Sequence, residues 1–169
     1  MGSMKQETSG RWLRRGLRED GLDLALEACP DGQGDTEAIA LYDPLEPPDP
    51  QEWLALDEAE RIERVRYFHE DESLSDEQLS VHAALHAAVE TQIAMGDETP
   101  VRKVVERLMD GGLDRHDAIH AVSCVLLSVM NDAVKAGGPE NSPPLGTVYF
   151  AELEQLTAVS WHRDFGEAE

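Results

Sequence analysis

The 169-residue sequence is short of aromatic residues (5%), of cysteine and of positive charge, and each shortage excludes something. Few aromatics, with Leu, Ala and Val supplying most of the apolar content, favour helix over sheet. The two cysteines, Cys29 in a Pro/Gly-rich stretch and Cys124 in a predicted core helix, do not make a disulfide framework. The absence of clustered cysteines also argues against an iron–sulfur centre. Fourteen Lys and Arg stand against 35 Asp and Glu, a formal charge of −21. Such a surface repels phosphate, so neither nucleic acid nor an anionic membrane is an expected partner. No signal peptide and no apolar run long enough to span a bilayer is read, and the cytoplasm is the expected location. No repeat of fixed period is found. The leading Met1-Gly2-Ser3 before Met4 reads as a cloning remnant.

What the chain does have is histidine in a pattern. Four of its six histidines lie between Asp76 and His120, two on each of two predicted helices. The first, from Asp76 to Gly96, places His82, His86 and Glu90 at steps of four. The second, from Asp114 to about Ala136, places His116 and His120 four apart with Asp117 between them. Residues at i, i+4 and i+8 share one side of a helix. That side faces inward, because Leu79, His82, His86, Val89 and Ile93 follow the 3,4 spacing of a buried seam, as do Leu113, His116, His120, Ser123, Leu127 and Met130. Imidazoles collected in a core need partners, and one metal ion is a partner for all of them.

The rest of the chain frames this pair. Residues 1–49 read as an N-terminal arm ending in the Pro-rich linker Asp43 to Pro50, with a short alternating stretch at Leu22, Leu24 and Leu26. Such composition buries little and reads as a mostly flexible arm; the alternative is that Trp12 and the cluster Arg11-Trp12-Leu13-Arg14-Arg15 dock on an acidic surface, in this protein, in a second copy (a homo-oligomer) or in a protein partner. Residues 50–165 read as an all-α antiparallel bundle of four to five helices. Its first helix starts near Pro50 or Asp57, capped by Asp49 or Asp57, and runs to about Glu70. On that helix Leu56, Ile62, Val65 and His69 share the inner side, adding His69 to the site. Thr99 and Pro100 open a helix with Val101, Val104, Val105, Leu108 and Met109 buried, and a last helix, Val148 to His162, seals the bundle through Tyr149, Leu153, Leu156, Val159 and Trp161.

The expected metal ligands are thus His82, His86, Glu90, His116, His120 and His69, with Zn, Fe or Mn as the ion. Two ligand groups would make a dinuclear iron or manganese site, and three or four converging ligands a single zinc. His116-Asp117-Ala118-Ile119-His120 also resembles the H-E-x-x-H of zinc peptidases, with Asp117 in the place of the base. Arg115 is expected to pair with an acidic neighbour, His162 to lie on the surface, and Cys124 to be a small core residue.

Tyr42-Asp43-Pro44-Leu45, Trp53, Tyr67-Phe68-His69, His82-Ala83-Ala84-Leu85-His86, Val89-Glu90-Thr91-Gln92, Arg107 to His120 and Trp161 together resemble a bacterial domain-of-unknown-function family of small helical proteins. The resemblance covers about two thirds of the chain and implies a helical fold without implying an activity. Members carry Glu where this chain has Asp117. The style of site is similar to that of hemerythrin, a helical-bundle di-iron oxygen carrier, although the ligand spacings differ. The expected function is a metal-binding helical bundle with redox, oxygen-related or metal-sensing roles. A zinc-dependent hydrolase using His116, His120, Glu90 and Asp117, or a non-catalytic acidic interaction module, are the alternatives.

Overall fold

The computed structural model describes residues 42–70 and 74–165. The arm up to residue 41, with its Arg/Trp cluster, alternating leucines and Cys29, lies outside the described residues. Among those described, the fold is all-α: α1 (Pro50–Ala55), α2 (Glu58–Phe68), α3 (Asp76–Ala94), α4 (Val101–Asp110), α5 (Arg115–Lys135), α6 (Leu145–Gln155) and α7 (Ala158–Phe165). The long helices α3 and α5 form the centre. α3 packs against α1, α2, α4 and α5, while α5 also packs against α4 and α6.

Two helices expected as continuous are each divided, and caps explain both breaks. Asp49 and Asp57 do not compete for one helix start; each caps its own. Asp49 accepts from Gln51 and Glu52, and Asp57 forms a reciprocal capping box with Glu60. Arg61 then fixes the corner, donating to the Trp53, Leu54 and Leu56 carbonyls at the end of α1 and to Thr91 Oγ1 on α3. At the other end, Thr157 and Ser160 exchange backbone-to-hydroxyl bonds of 3.1 Å and start α7 afresh. The helical register therefore restarts after Gln155. Val159, expected in the seal, is 78% exposed, while Ala158 and Trp161 turn inward.

Elsewhere the apolar pattern is followed with local differences. Ser75 and Gln78 box the start of α3. Thr99 does not cap α4, because its hydroxyl donates to the Gln92 carbonyl instead. Val101, Val104, Val105 and Leu108 are buried, but Met109 is exposed: at 100° per residue it lies about 80° around from Val101 and off the stripe. Met130 is exposed as well. α5, at 21 residues, is long and apolar enough to cross a membrane by length and composition, and half of its apolar window is buried inside the bundle.

Buried apolar residues fall into two groups. The larger gathers Leu85, Val89, Val105, Leu108, Ile119, Val122, Leu153 and Trp161 with their neighbours. The smaller contains Tyr42, Trp53, Val65, Ala83 and Ala87. On α3, residues 85 and 89 point to the first and residues 83 and 87 to the second, so a helical wheel puts His82 and His86 between them.

The chain leaves α4 at Gly111, where an added Cβ would come within 2.8 Å of the Ala158 Cβ and 3.2 Å of the Leu108 carbonyl. α7 seats against that bare backbone. Gly111→Ala is expected to lower the unfolding free energy by about 1–3 kcal/mol, as overpacking does. A shift of the urea midpoint at constant slope is the check.

Candidate metal centre

Five histidines from three helices meet in the interior. His69 closes the C-terminal end of α2, His82 and His86 come from α3, and His116 and His120 from α5. One ring nitrogen from each lies within 4.8 Å of the corresponding nitrogen of every other. His69, His82, His86 and His120 have no exposed surface, and His116 is half-buried. All five histidines expected at the site are therefore brought together, including His69, whose place at a helix end made it the least secure by position.

Hydrogen bonds set how two of these rings present themselves. The Val65 carbonyl accepts from His69 Nδ1 at 2.8 Å, so the proton sits on Nδ1 and Nε2 carries the lone pair. His69 Nε2 lies 3.0 Å from His116 Nε2. In the metal-free protein this contact requires His116 to donate, since His69 has no proton left at that nitrogen. On the other side, the Tyr42 hydroxyl donates to Glu90 Oε1 at 2.7 Å and lies 3.0 Å from His86 Nδ1. Its proton is committed to the carboxylate, so Tyr42 accepts from His86 Nδ1–H. That leaves the lone pair on His86 Nε2, a buried atom with no hydrogen-bond partner among the described residues. The Ser123 hydroxyl, one turn beyond His120, is likewise buried without one.

Glu90 is not in the group of five, which departs from the ligand set expected from the sequence. Both of its oxygens accept from Arg115, at 2.7 Å each, and Oε1 also accepts from Tyr42. Helix geometry gives the reason. Each step of four residues advances the side chain about 40° past a full turn, so two steps carry Glu90 about 80° around from His82 and about 12 Å along the axis. His82 and His86 remain on one side, and Glu90 has rotated toward Tyr42. Asp117 is also outside the group and half-buried, about 100° around α5 from His116. Its backbone N–H donates to the helix cap Asp114. Arg115 pairs with an acidic neighbour as expected, His162 is exposed, and Cys124 packs half-buried against the larger core.

Tyr42 is the neighbour of the cluster that the sequence pattern did not mark as a site residue. It sits before a Pro-rich stretch, with no periodicity to mark it as buried, yet it is only 7% exposed and touches both His86 and Glu90. Burial, then the Glu90 carboxylate, raises its pKa well above the ordinary phenol value, so the hydroxyl keeps its proton.

Burial likewise holds the imidazoles neutral. It pushes the pKa of His69 down to about 4 and that of His116 to about 3, the latter helped by His69 and Arg115. His82, His86 and His120 are lowered well below the ordinary value, by burial first and by the other histidines second. Neutral imidazole is the form that binds a metal.

A sign follows for the metal-free protein. Each folded-state pKa lies below the unfolded value of 6.5, so the unfolded chain takes up protons first as pH falls. The stability is intact above about pH 6.5 and is lost progressively below it, by up to about 1.4 kcal/mol per pH unit for each histidine. Denaturant midpoints of the metal-free protein are expected to fall steeply between pH 6.5 and 5. A flat profile over that window would contradict the burial of neutral rings.

Comparison of this chain with protein-family models, with curated proteins and with solved structures found no match.

Proposed function

We propose that this protein binds a single divalent first-row transition-metal ion through His69, His82, His86, His116 and His120, with ferrous iron the best fit. The observation that carries the reading is the buried His86 Nε2, a lone pair without a donor, set by its tautomer among four further imidazoles. A cation accepts that lone pair and the other four at once.

Three features support the choice of ion. Every ligand is an imidazole, which suits iron, zinc, nickel and copper better than manganese, an ion that favours carboxylate oxygen. Five ligands also exceed the four of a structural zinc site. The ligands are neutral, and the nearby Glu90 charge is balanced by Arg115, which favours the lower oxidation state of iron.

The dinuclear reading has less support, because Glu90 has both oxygens engaged by Arg115 and Tyr42 and is not placed to bridge two ions. The same engagement weakens the zinc-hydrolase reading, which also needs a substrate to reach His120, a ring with no exposed surface. Holding or sensing ferrous iron is the role that a site so enclosed suits best. A second reading, binding of a diatomic gas at the sixth position, is favoured by the partial exposure of His116 beside Phe68, whose ring lies 6.0 Å away.

The test is anaerobic titration of the tag-free, chelator-treated protein with Fe(II), Zn(II) and Mn(II). One equivalent of Fe(II) is expected to bind, with Zn(II) competing and Mn(II) at least about tenfold weaker. His86→Ala and His120→Ala are each expected to weaken binding by roughly 100-fold, at or beyond what lost outer contacts do. Absence of binding, or binding indifferent to both substitutions, overturns the proposal.

A further inference from the structure

A chain of contacts leads outward from His86 to the segment that enters the bundle. The His86 ring donates to the Tyr42 oxygen at 3.0 Å, and Tyr42 donates to Glu90 at 2.7 Å. Arg115 holds both Glu90 oxygens, and its Nη1 also donates to the Pro44 carbonyl at 2.8 Å. Tyr42 and Pro44 are thus tied to the same buried ion pair, one through its side chain and the other through its backbone. Between them and α1 the chain is stiffened by a small turn: the Leu45 N–H donates to Asp43 Oδ1 and the Glu46 N–H to the Asp43 carbonyl. The Tyr42 ring rests against Trp53 and Phe68, with centroids 5.7 and 6.1 Å away.

We infer that Tyr42 is a positioning residue for the metal site and that, with Glu90 and Arg115, it latches residues 42–46 to the bundle more firmly when the histidines hold an ion. The inference rests on the metal-binding reading above. A cation on His86 Nε2 draws electron density from the ring and makes Nδ1–H a stronger donor. Tyr42 is the acceptor of that proton's hydrogen bond, and its own O–H to Glu90 strengthens in turn, as linked hydrogen bonds polarise one another. The ion therefore tightens the anchoring of Tyr42, and the turn from Asp43 to Glu46 moves with it. By thermodynamic reciprocity, docking of the segment raises the affinity for the ion by the same factor. Occupancy of a closed site thereby reaches the turn of residues 43–46, where Asp43, Leu45 and Glu46 are exposed, as a sensor requires. Residues 42–49, expected to be linker, are in part the outer support of the site.

The test combines zinc binding with backbone hydrogen exchange, in the full-length protein and in Tyr42→Phe, which keeps the ring and loses the hydroxyl. Zinc is used because it is redox-silent. In the unsubstituted protein, zinc is expected to slow exchange at the Leu45 and Glu46 amides. Tyr42→Phe is expected still to bind zinc, but about 10- to 100-fold more weakly, as for other lost outer contacts to a ligand histidine. In that variant, zinc at saturation should no longer alter exchange at Leu45 and Glu46, while amides of α3 remain protected. Unchanged affinity in Tyr42→Phe, or zinc-dependent protection at residues 45 and 46 that persists in it, overturns the latch and leaves the metal site standing. If the variant fails to fold, zinc binding to the unsubstituted protein without any change at Leu45 and Glu46 overturns it equally. No zinc binding to the unsubstituted protein overturns the site and the latch together.

Discussion

Five imidazole nitrogens that meet in the interior of the bundle are the constraint to which the surrounding hydrogen bonds answer. A buried acceptor without a donor costs roughly 1–3 kcal/mol, and His86 Nε2 is such an acceptor in the metal-free chain. Protonating the rings brings no relief, since burial and the neighbouring histidines oppose a positive charge there. A side chain of fixed charge does not enter the cluster either: Glu90 and Arg115 answer one another alongside it. The bundle around the cluster is held by ordinary means, two apolar groups and arginines that close open helix ends. At His86 Nε2, packing supplies position without a hydrogen-bond partner among the described residues.

The pairing of Glu90 with Arg115 shows how the neutral site is kept neutral. A buried ion pair of this kind adds little stability relative to an apolar substitute, because desolvation opposes the attraction. Its value here lies in orientation. The carboxylate accepts a hydrogen bond from the Tyr42 hydroxyl, Tyr42 then accepts from His86 Nδ1, and the Nε2 lone pair is left facing the other rings. On α2 the Val65 carbonyl does the same for His69 with a backbone group alone. Two different devices thus produce one tautomer, and Arg115 extends the first of them to the Pro44 carbonyl.

Much of this was legible in the sequence, because the relevant signals are local and periodic. Steps of four placed His82 with His86 and His116 with His120, and the 3,4 seams around them pointed inward except at Met130, which is exposed, and Ile93, which is half-buried. Asp49, Asp57, Ser75 and Asp114 were readable as caps because a cap is a residue type at a helix start. What was not legible depends on angle and distance rather than on spacing. The drift of 40° per four residues is invisible over one step and decisive over two, which is why Glu90 was grouped with the histidines and lies instead against Arg115. Tyr42 carries no periodic signal, and only the folded chain brings it to His86 across 44 positions. The break before α7 rests on a Thr157–Ser160 exchange that a continuous apolar pattern concealed.

The central claim, five imidazoles on one ion, is tested most directly by X-ray absorption at the metal edge of the iron-loaded, tag-free protein. The account predicts a first shell of nitrogen alone at about 2.0–2.2 Å, with the outer-shell scattering of several imidazole rings and no second metal at about 3.5–4 Å. A first shell dominated by oxygen or sulfur, or a metal–metal distance in that range, would contradict it.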